Sequence, residues 1–207
     1  MKSICIVPAR ANSKRIKNKN ILNFFGKPII YWPLLAAKKS KLFDEIVVST
    51  DGKKIINFVK KLKYNFQKRR NKLSGDNVPI VDVIRDFVKS NDLENCKICC
   101  VLAANPLMDY KDLVKSSKFL NKKNKFVISV TDYDYPYFKA LKKNRKHVEL
   151  VNKKTALKNT QKLHPFYHDA GQFYWGIGSD FLKYRNIFDS KSVFGYHIKN
   201  TRCRDID

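Results

Sequence analysis

Glycine is scarce in this chain, and none of its seven copies falls within VPARANSKRIKNKN, residues 7–20. That stretch follows an apolar run, Ser3–Val7, where a phosphate-binding chain commonly turns on glycines. The absence excludes a Walker-type loop, which needs glycines ahead of a Lys-Ser/Thr pair. Long hydrophobic runs are missing as well. The longest, such as Ile98–Ala104, have the length of a strand and fall far short of a membrane span. The N-terminus enters a strand-like run without a signal-peptide core or cleavage site, so a cytoplasmic location is the expectation. A disulfide framework is also lacking. Cys5, Cys96, Cys99, Cys100 and Cys203 are odd in number, and three of them crowd one apolar stretch. Cys96 and Cys99 have metal-ligand spacing without a second pair, so they read as small apolar residues of a buried strand.

Acidic residues are few, 18 against 43 Lys and Arg, which leaves a formal net charge of +25 and a pI near 9.9. Such a balance suits a nucleic-acid binder. The excess, however, is mostly lysine scattered over every segment, and arginine, the better bidentate phosphate ligand, is scarce. Nucleic acid is therefore not the expected partner. The charge is compatible with steering a small anionic substrate.

What the chain does contain is alternation. Strand-like runs at Ser3–Val7, Glu45–Ser49, Tyr64–Phe66, Lys97–Ala103 and Phe126–Val130 are separated by helical patterns at Ile29–Lys39, Gly52–Leu62, Ile80–Val88 and Lys111–Leu120. Near-continuous apolar strands between helices predict an α/β fold, a Rossmann-like and mostly parallel sheet covered by helices on both faces. In such sheets ligands sit beyond the carboxyl ends of the strands, and the basic loop leaves from one of those ends. The rhythm breaks between Tyr133 and Phe173, which is rich in tyrosine and lysine and has hairpin-like pieces at Phe138–Leu141 and His147–Val151. Residues 133–173 read as an inserted β-rich arm on a single domain spanning 1–207. A strand at Gln172–Gly178, a short helix at Ser179–Tyr184 and a last strand at Ser192–Ile198 complete the pattern.

Within the basic loop, Arg10, Lys14 and Lys19 can supply point charges, and Ser13 and Asn20 hydrogen bonds. Pro8-Ala9-Arg10, Ser13-Lys14, Lys19-Asn20, Phe25-Gly26-Lys27-Pro28-Ile29 and Phe43–Asp51 together resemble the N-terminal half of the acylneuraminate (nonulosonate) cytidylyltransferases. Leu73-Ser74-Gly75-Asp76 with Arg69 is similar to that family's middle nucleotide segment. Cys203-Arg204-Asp205-Ile206-Asp207 resembles its Asp-x-Asp metal motif. The string His168-Asp169-Ala170-Gly171-Gln172-Phe173-Tyr174-Trp175 looks like the pseudaminic acid branch, by analogy only.

The resemblance implies a nucleotidyltransferase fold and a reaction joining CMP from CTP to the anomeric hydroxyl of an acidic nine-carbon sugar, with release of pyrophosphate. Attack at the α-phosphate gathers negative charge, so positioning and electrostatic stabilisation carry the catalysis. Carried over by position, Arg10 and Lys19 are the catalytic cations, and Arg10, Ser13, Lys14, Lys19, Asn20 and Arg69 hold CTP. His168, Asp169, Gln172 and Tyr174 face the sugar, and Asp205 and Asp207 hold Mg²⁺. A homodimer whose arm reaches the partner's site is also implied, as is a terminal helix beyond Asp207. Two points depart from the family. Leu102-Ala103-Ala104-Asn105-Pro106 replaces its Pro-Thr pair, and Gln67-Lys68-Arg69-Arg70 leaves the arginine register ambiguous by one. Legionaminic, sialic or 3-deoxy-octulosonic acid as the sugar, or a non-catalytic nucleotide-binding relative, remain the alternatives.

Overall fold

Near-continuous apolar runs can be buried on both faces only as central strands, and the first of them, Ser3–Pro8, forms strand β1. The computed structural model describes residues 1–11, 13, 15–135, 137–156, 165–204 and 206. A short hairpin follows, β2 (Asn23–Phe24) with β3 (Lys27–Pro28), and then helix α1 (Tyr31–Ser40). The chain continues through β4 (Glu45–Thr50), α2 (Lys53–Lys61), β5 (Asn65–Lys68), α3 (Ile80–Ser90) and β6 (Lys97–Val101). Next come α4 (Tyr110–Ser117), β7 (Phe126–Asp132), the hairpin β8 (Leu141–Asn144) and β9 (His147–Leu150), and α5 (Lys153–Ala156). β10 (Tyr167–Ile177), α6 (Gly178–Lys183) and β11 (Val193–His197) complete it.

Among the described residues, seven strands make the central sheet in the order β11-β7-β10-β6-β1-β4-β5. All neighbours are parallel except β10, which runs antiparallel to both β6 and β7. The two faces follow from the two-residue period of a strand. Along β1, Cys5 and Val7 join a core with Leu34, Ile55, Val59 and Leu113 from α1, α2 and α4. Ile4 and Ile6 point the other way, to Ile84, Phe87 and Phe181 from α3 and α6. The expected α/β architecture with helices on both faces is what the chain adopts.

Helix ends obey local chemistry. The Asp109 side chain accepts from Lys111 N at 2.9 Å and caps α4, and α3 carries Asp82 in its first turn and Lys89 in its last.

The arm differs from expectation in two respects. Its first strand is Leu141–Asn144, not Phe138–Leu141, because the two-residue turn at Arg145-Lys146, with Arg145 at φ 51°, fixes the pairing to His147–Leu150. Both strands are almost wholly exposed, so no alternating pattern marked them. The strand expected from Gln172 instead begins at Tyr167, so residues 167–173 belong to the central sheet. A register shift between Asp169 and Tyr174 interrupts that strand and hides its first half from a periodicity reading. Among the described residues, no helix is long and apolar enough to cross a membrane.

Candidate active site

The loops leaving the carboxyl ends of β1, β5 and β6 meet the bulged start of β10 around a cavity of about 610 Å³. That size lies within the range typical of small-molecule sites, about 300–1,000 Å³. The antiparallel direction of β10 matters here. It brings the strand's beginning, not its end, to the edge where its neighbours finish.

The basic loop is held without internal glycine. Ala9 N donates to Ser49 O at 2.9 Å and Ala11 N to Asp51 Oδ1 at 2.7 Å, and Asn20 Nδ2 donates to Arg10 O at 2.9 Å. The left-handed turn that glycine often supplies falls on Asn18, at φ 57°; asparagine tolerates that region because its short polar side chain can bond locally. The glycine the loop does need lies opposite it. A Cβ at Gly52 would come within 3.1 Å of Ala11 Cβ and 3.2 Å of Ile55 Cδ1.

Three cations reach the cavity from this side: Arg10, Lys19 and Arg69. Arg69 is buried, and its guanidinium donates to Ser49 O at 2.7 Å and Ser49 Oγ at 3.3 Å. Burial lowers its pKa while Asp51 pulls it back up; an arginine stays charged through such a shift. The bonds to Ser49 go to neutral oxygens and leave that charge available to the cavity. Of the two arginines, Arg69 is the one that lines the cavity; Arg70 is exposed and pairs with Asp86 at 3.0 Å. Arg10 forms an ion pair with Asp76, a residue in the Leu73–Asp76 segment that had not been singled out for the site. Asn20 is buried and lines the cavity, whereas Arg15 and Lys17 are exposed.

The opposite wall is the β10 bulge. Gly171 sits at φ 60°, its N donates to Asp169 Oδ1 at 2.8 Å, and its carbonyl accepts from Asn105 Nδ2 at 2.6 Å. Ser129 Oγ takes Gln172 N at 3.0 Å and Phe173 N at 3.2 Å from behind. The result presents His168, Asp169 and Tyr174 to the cavity, with Tyr174 OH donating to Asp169 Oδ2 at 2.6 Å. Asn105, in the stretch Leu102–Pro106 that departs from the family pattern, serves as a strut for this bulge. Between the walls, Leu73, Val78, Val83 and Leu102 make an apolar strip.

Gln172 corrects the expectation of a sugar contact. Its side chain is fully buried outside the cavity lining, and its Nε2 donates to Arg202 O at 2.7 Å. Ser13 is half-buried and also outside the lining. Lys14, Asp205 and Asp207 lie outside the described residues. The buried thiols of Cys5, Cys99 and Cys100 have pKa values raised by burial, which keeps them as unreactive core side chains.

Among the described residues, no group of three or more His, Cys, Asp or Glu forms a metal cluster. Mg²⁺ does not require one. One or two carboxylates, with substrate phosphates and water, are its usual shell. Ile206, which Asp205 and Asp207 flank in sequence, has its carbonyl 2.6 Å from Lys19 Nζ. The backbone at Ile206 therefore reaches the cationic wall. In donor chemistry, the two carboxylates of an Asp-x-Asp pair suit Mg²⁺.

Comparison with known proteins bears on the family and the fold. The pattern of a family described as cytidylyltransferase matches residues 4–202. A pseudaminic acid cytidylyltransferase of Campylobacter jejuni subsp. jejuni is 35% identical over 216 residues, covering 100% of this chain and 91% of the relative. A Helicobacter pylori protein named pseudaminic acid cytidylyltransferase and UDP-2,4-diacetamido-2,4,6-trideoxy-beta-L-altropyranose hydrolase is 32% identical, over 93% of this chain and 38% of its own length. Among solved structures, a CMP:2-keto-3-deoxy-manno-octonic acid synthetase complexed with CTP superposes with a TM-score of 0.73. It is 14% identical, over 96% of this chain and 90% of that one. At that identity the likeness speaks for the fold.

Proposed function

The chain belongs to the cytidylyltransferase family, and on that premise we propose that it transfers CMP from CTP to the anomeric hydroxyl of pseudaminic acid, releasing pyrophosphate. The observation that carries this reading is the single cavity holding Arg10, Lys19 and Arg69 on one wall and His168, Asp169 and Tyr174 on the other. Three cations suit a triphosphate, and a carboxylate–hydroxyl pair suits a polyhydroxylated sugar. The apolar strip between them suits a flat base.

In the reaction the anomeric oxygen bonds to the α-phosphorus and gives its proton to solvent water, while the bond from that phosphorus to the bridging oxygen breaks and pyrophosphate leaves. Arg10 and Lys19 offset charge growing on the phosphates, and Asn20 and Arg69 fix the nucleotide so that attack is in line. Asp205 and Asp207 would hold Mg²⁺, which when bound neutralises phosphate charge and lowers the pKa of the attacking hydroxyl. On the bulge side Tyr174 OH donates to Asp169 Oδ2, and this pair orients the sugar.

The exposed apolar side chains of the arm, among them Tyr135, Val148 and Val151, support a homodimer formed through the arm outside the central sheet. Light scattering at micromolar concentration checks this; a strictly monomeric, fully active protein would contradict a shared site. The function is tested by pyrophosphate release with CTP and Mg²⁺, using pseudaminic, legionaminic, sialic and 3-deoxy-octulosonic acids as acceptors. The expected preference is for pseudaminic acid. Absence of turnover with every acceptor, in a protein that binds CTP, would overturn the reading.

A further inference from the structure

Gln172 is the residue of the site region that the proposed reaction leaves unused. It is fully buried, its Nε2 donates to Arg202 O at 2.7 Å, and its Oε1 is buried without a hydrogen-bond partner among the described residues. An unpaired buried amide oxygen is a standing cost to the fold. A methionine or leucine of similar volume would fill the same space without that cost. What they could not supply is the bond to Arg202.

Arg202 is gripped from a second direction. Its guanidinium pairs with the buried carboxylate of Asp112 on α4, which also accepts from Tyr196 OH at 3.2 Å. Just upstream, Thr131 Oγ1 donates to Ile198 O at 2.8 Å. Just downstream the chain enters the site: Cys203 lines the cavity, and the Ile206 carbonyl accepts from Lys19 Nζ at 2.6 Å. Arg202 is thus held both at its backbone carbonyl and at its side chain, and the cavity wall begins one residue later.

We propose that Gln172, together with the Asp112–Arg202 pair, is a positioning residue that sets where Cys203 and Ile206 meet the cavity, without itself touching substrate. Through Ile206 it acts on Lys19, and through chain connectivity on Asp205 and Asp207. The kinetic part of this proposal rests on the cytidylyltransferase reading above; the structural part does not.

Gln172→Met removes the bond and keeps the volume. Hydrogen exchange of the intact protein should quicken about tenfold or more at amides 199–204, with the strands of the central sheet unchanged. Mn²⁺ affinity, read by electron paramagnetic resonance in the presence of CTP, should fall about 10-fold, the lower end of what outer supports of metal ligands contribute. The Mg²⁺ concentration for half-maximal rate should rise by the same factor, with kcat at saturating Mg²⁺ largely retained. The double variant Asp112→Asn, Arg202→Gln, which removes the ion pair without leaving a buried charge, should reproduce all three effects; it serves as the test if Gln172→Met does not fold. Unchanged exchange at 199–204 and unchanged Mn²⁺ affinity in a folded variant would overturn the proposal and leave Gln172 as core filling. If the natural protein shows no turnover, the exchange and Mn²⁺ measurements still decide the matter, so failure of the functional reading is told apart from failure of this one.

Discussion

The two walls of the cavity are built by opposite means. The cationic wall stands on loops that leave parallel strands: Arg10 two residues past β1, Lys19 on the same loop, Arg69 one residue past β5. The opposite wall is a bulge in β10, the antiparallel strand of the central sheet, propped by Asn105, Ser129 and its own Asp169. The first places charges that survive small shifts of position, since Coulombic attraction is not directional. The second places hydrogen-bonding groups whose use depends on angle and on a bulge that would not hold its shape alone. The division suits a reaction with one highly charged substrate and one whose hydroxyls must be told apart.

The largest effect should come from the cationic wall. Lys19→Ala is expected to lower kcat with CTP by about 10²–10³-fold, the range for loss of one donor to developing charge. Lys17→Ala, an exposed cation on the same loop, should stay near the natural rate, and a comparable loss there would show that general charge, not Lys19, sustains the reaction. A smaller and more selective effect is expected on the bulge. Tyr174→Phe removes a hydrogen bond to a carboxylate and should raise KM for the sugar about tenfold, with KM for CTP unchanged. Equal effects on both constants would erase the distinction between the walls. Asp76→Asn should work in the reverse sense. Freeing Arg10 from its partly exposed partner should tighten pyrophosphate binding, measured by calorimetry, by up to about fivefold, in line with the modest worth of such pairs.

The least effect on catalysis is expected at Tyr196, outside the cavity lining. Burial, then the neighbouring Asp112, push its hydroxyl pKa up to about 12 from an ordinary value of 10.0. A raised pKa means that the folded state holds the proton longer than the unfolded chain. Its contribution to stability is therefore complete below about pH 10 and fades as pH climbs towards 12. Tyr196→Phe should flatten that part of a melting-temperature profile while leaving turnover at neutral pH alone.

The cationic wall was legible because proximity in sequence delivered it. A residue one or two places past a buried strand must lie at that strand's carboxyl end, whatever the rest of the chain does. Even so, Arg69 and Arg70 could be told apart only by the register of β5 on β4, with Arg69 N bonded to Thr50 O at 2.9 Å and its side chain turned inward. Gln172 was misassigned for the converse reason. A strand's faces alternate, and a shift in pairing between Asp169 and Tyr174 changes which side chains reach the cavity, a change that no count along the residues can foresee. Asp76 was passed over because an acid in a basic site gains meaning only once Arg10 is seen beside it.

Alternating apolar runs and helical periods were enough to determine a parallel α/β sheet with both faces covered, since each strand's burial is written in its own residues. The quoted motifs likewise determined the family. The antiparallel course of β10, the bulge that turns His168 and Asp169 into the cavity, and the anchoring of Arg202 by Asp112 and Gln172 were decided by tertiary structure alone. Each of these depends on pairing between residues about 30 to 90 positions apart, and on polar groups finding partners that only the assembled core brings within reach.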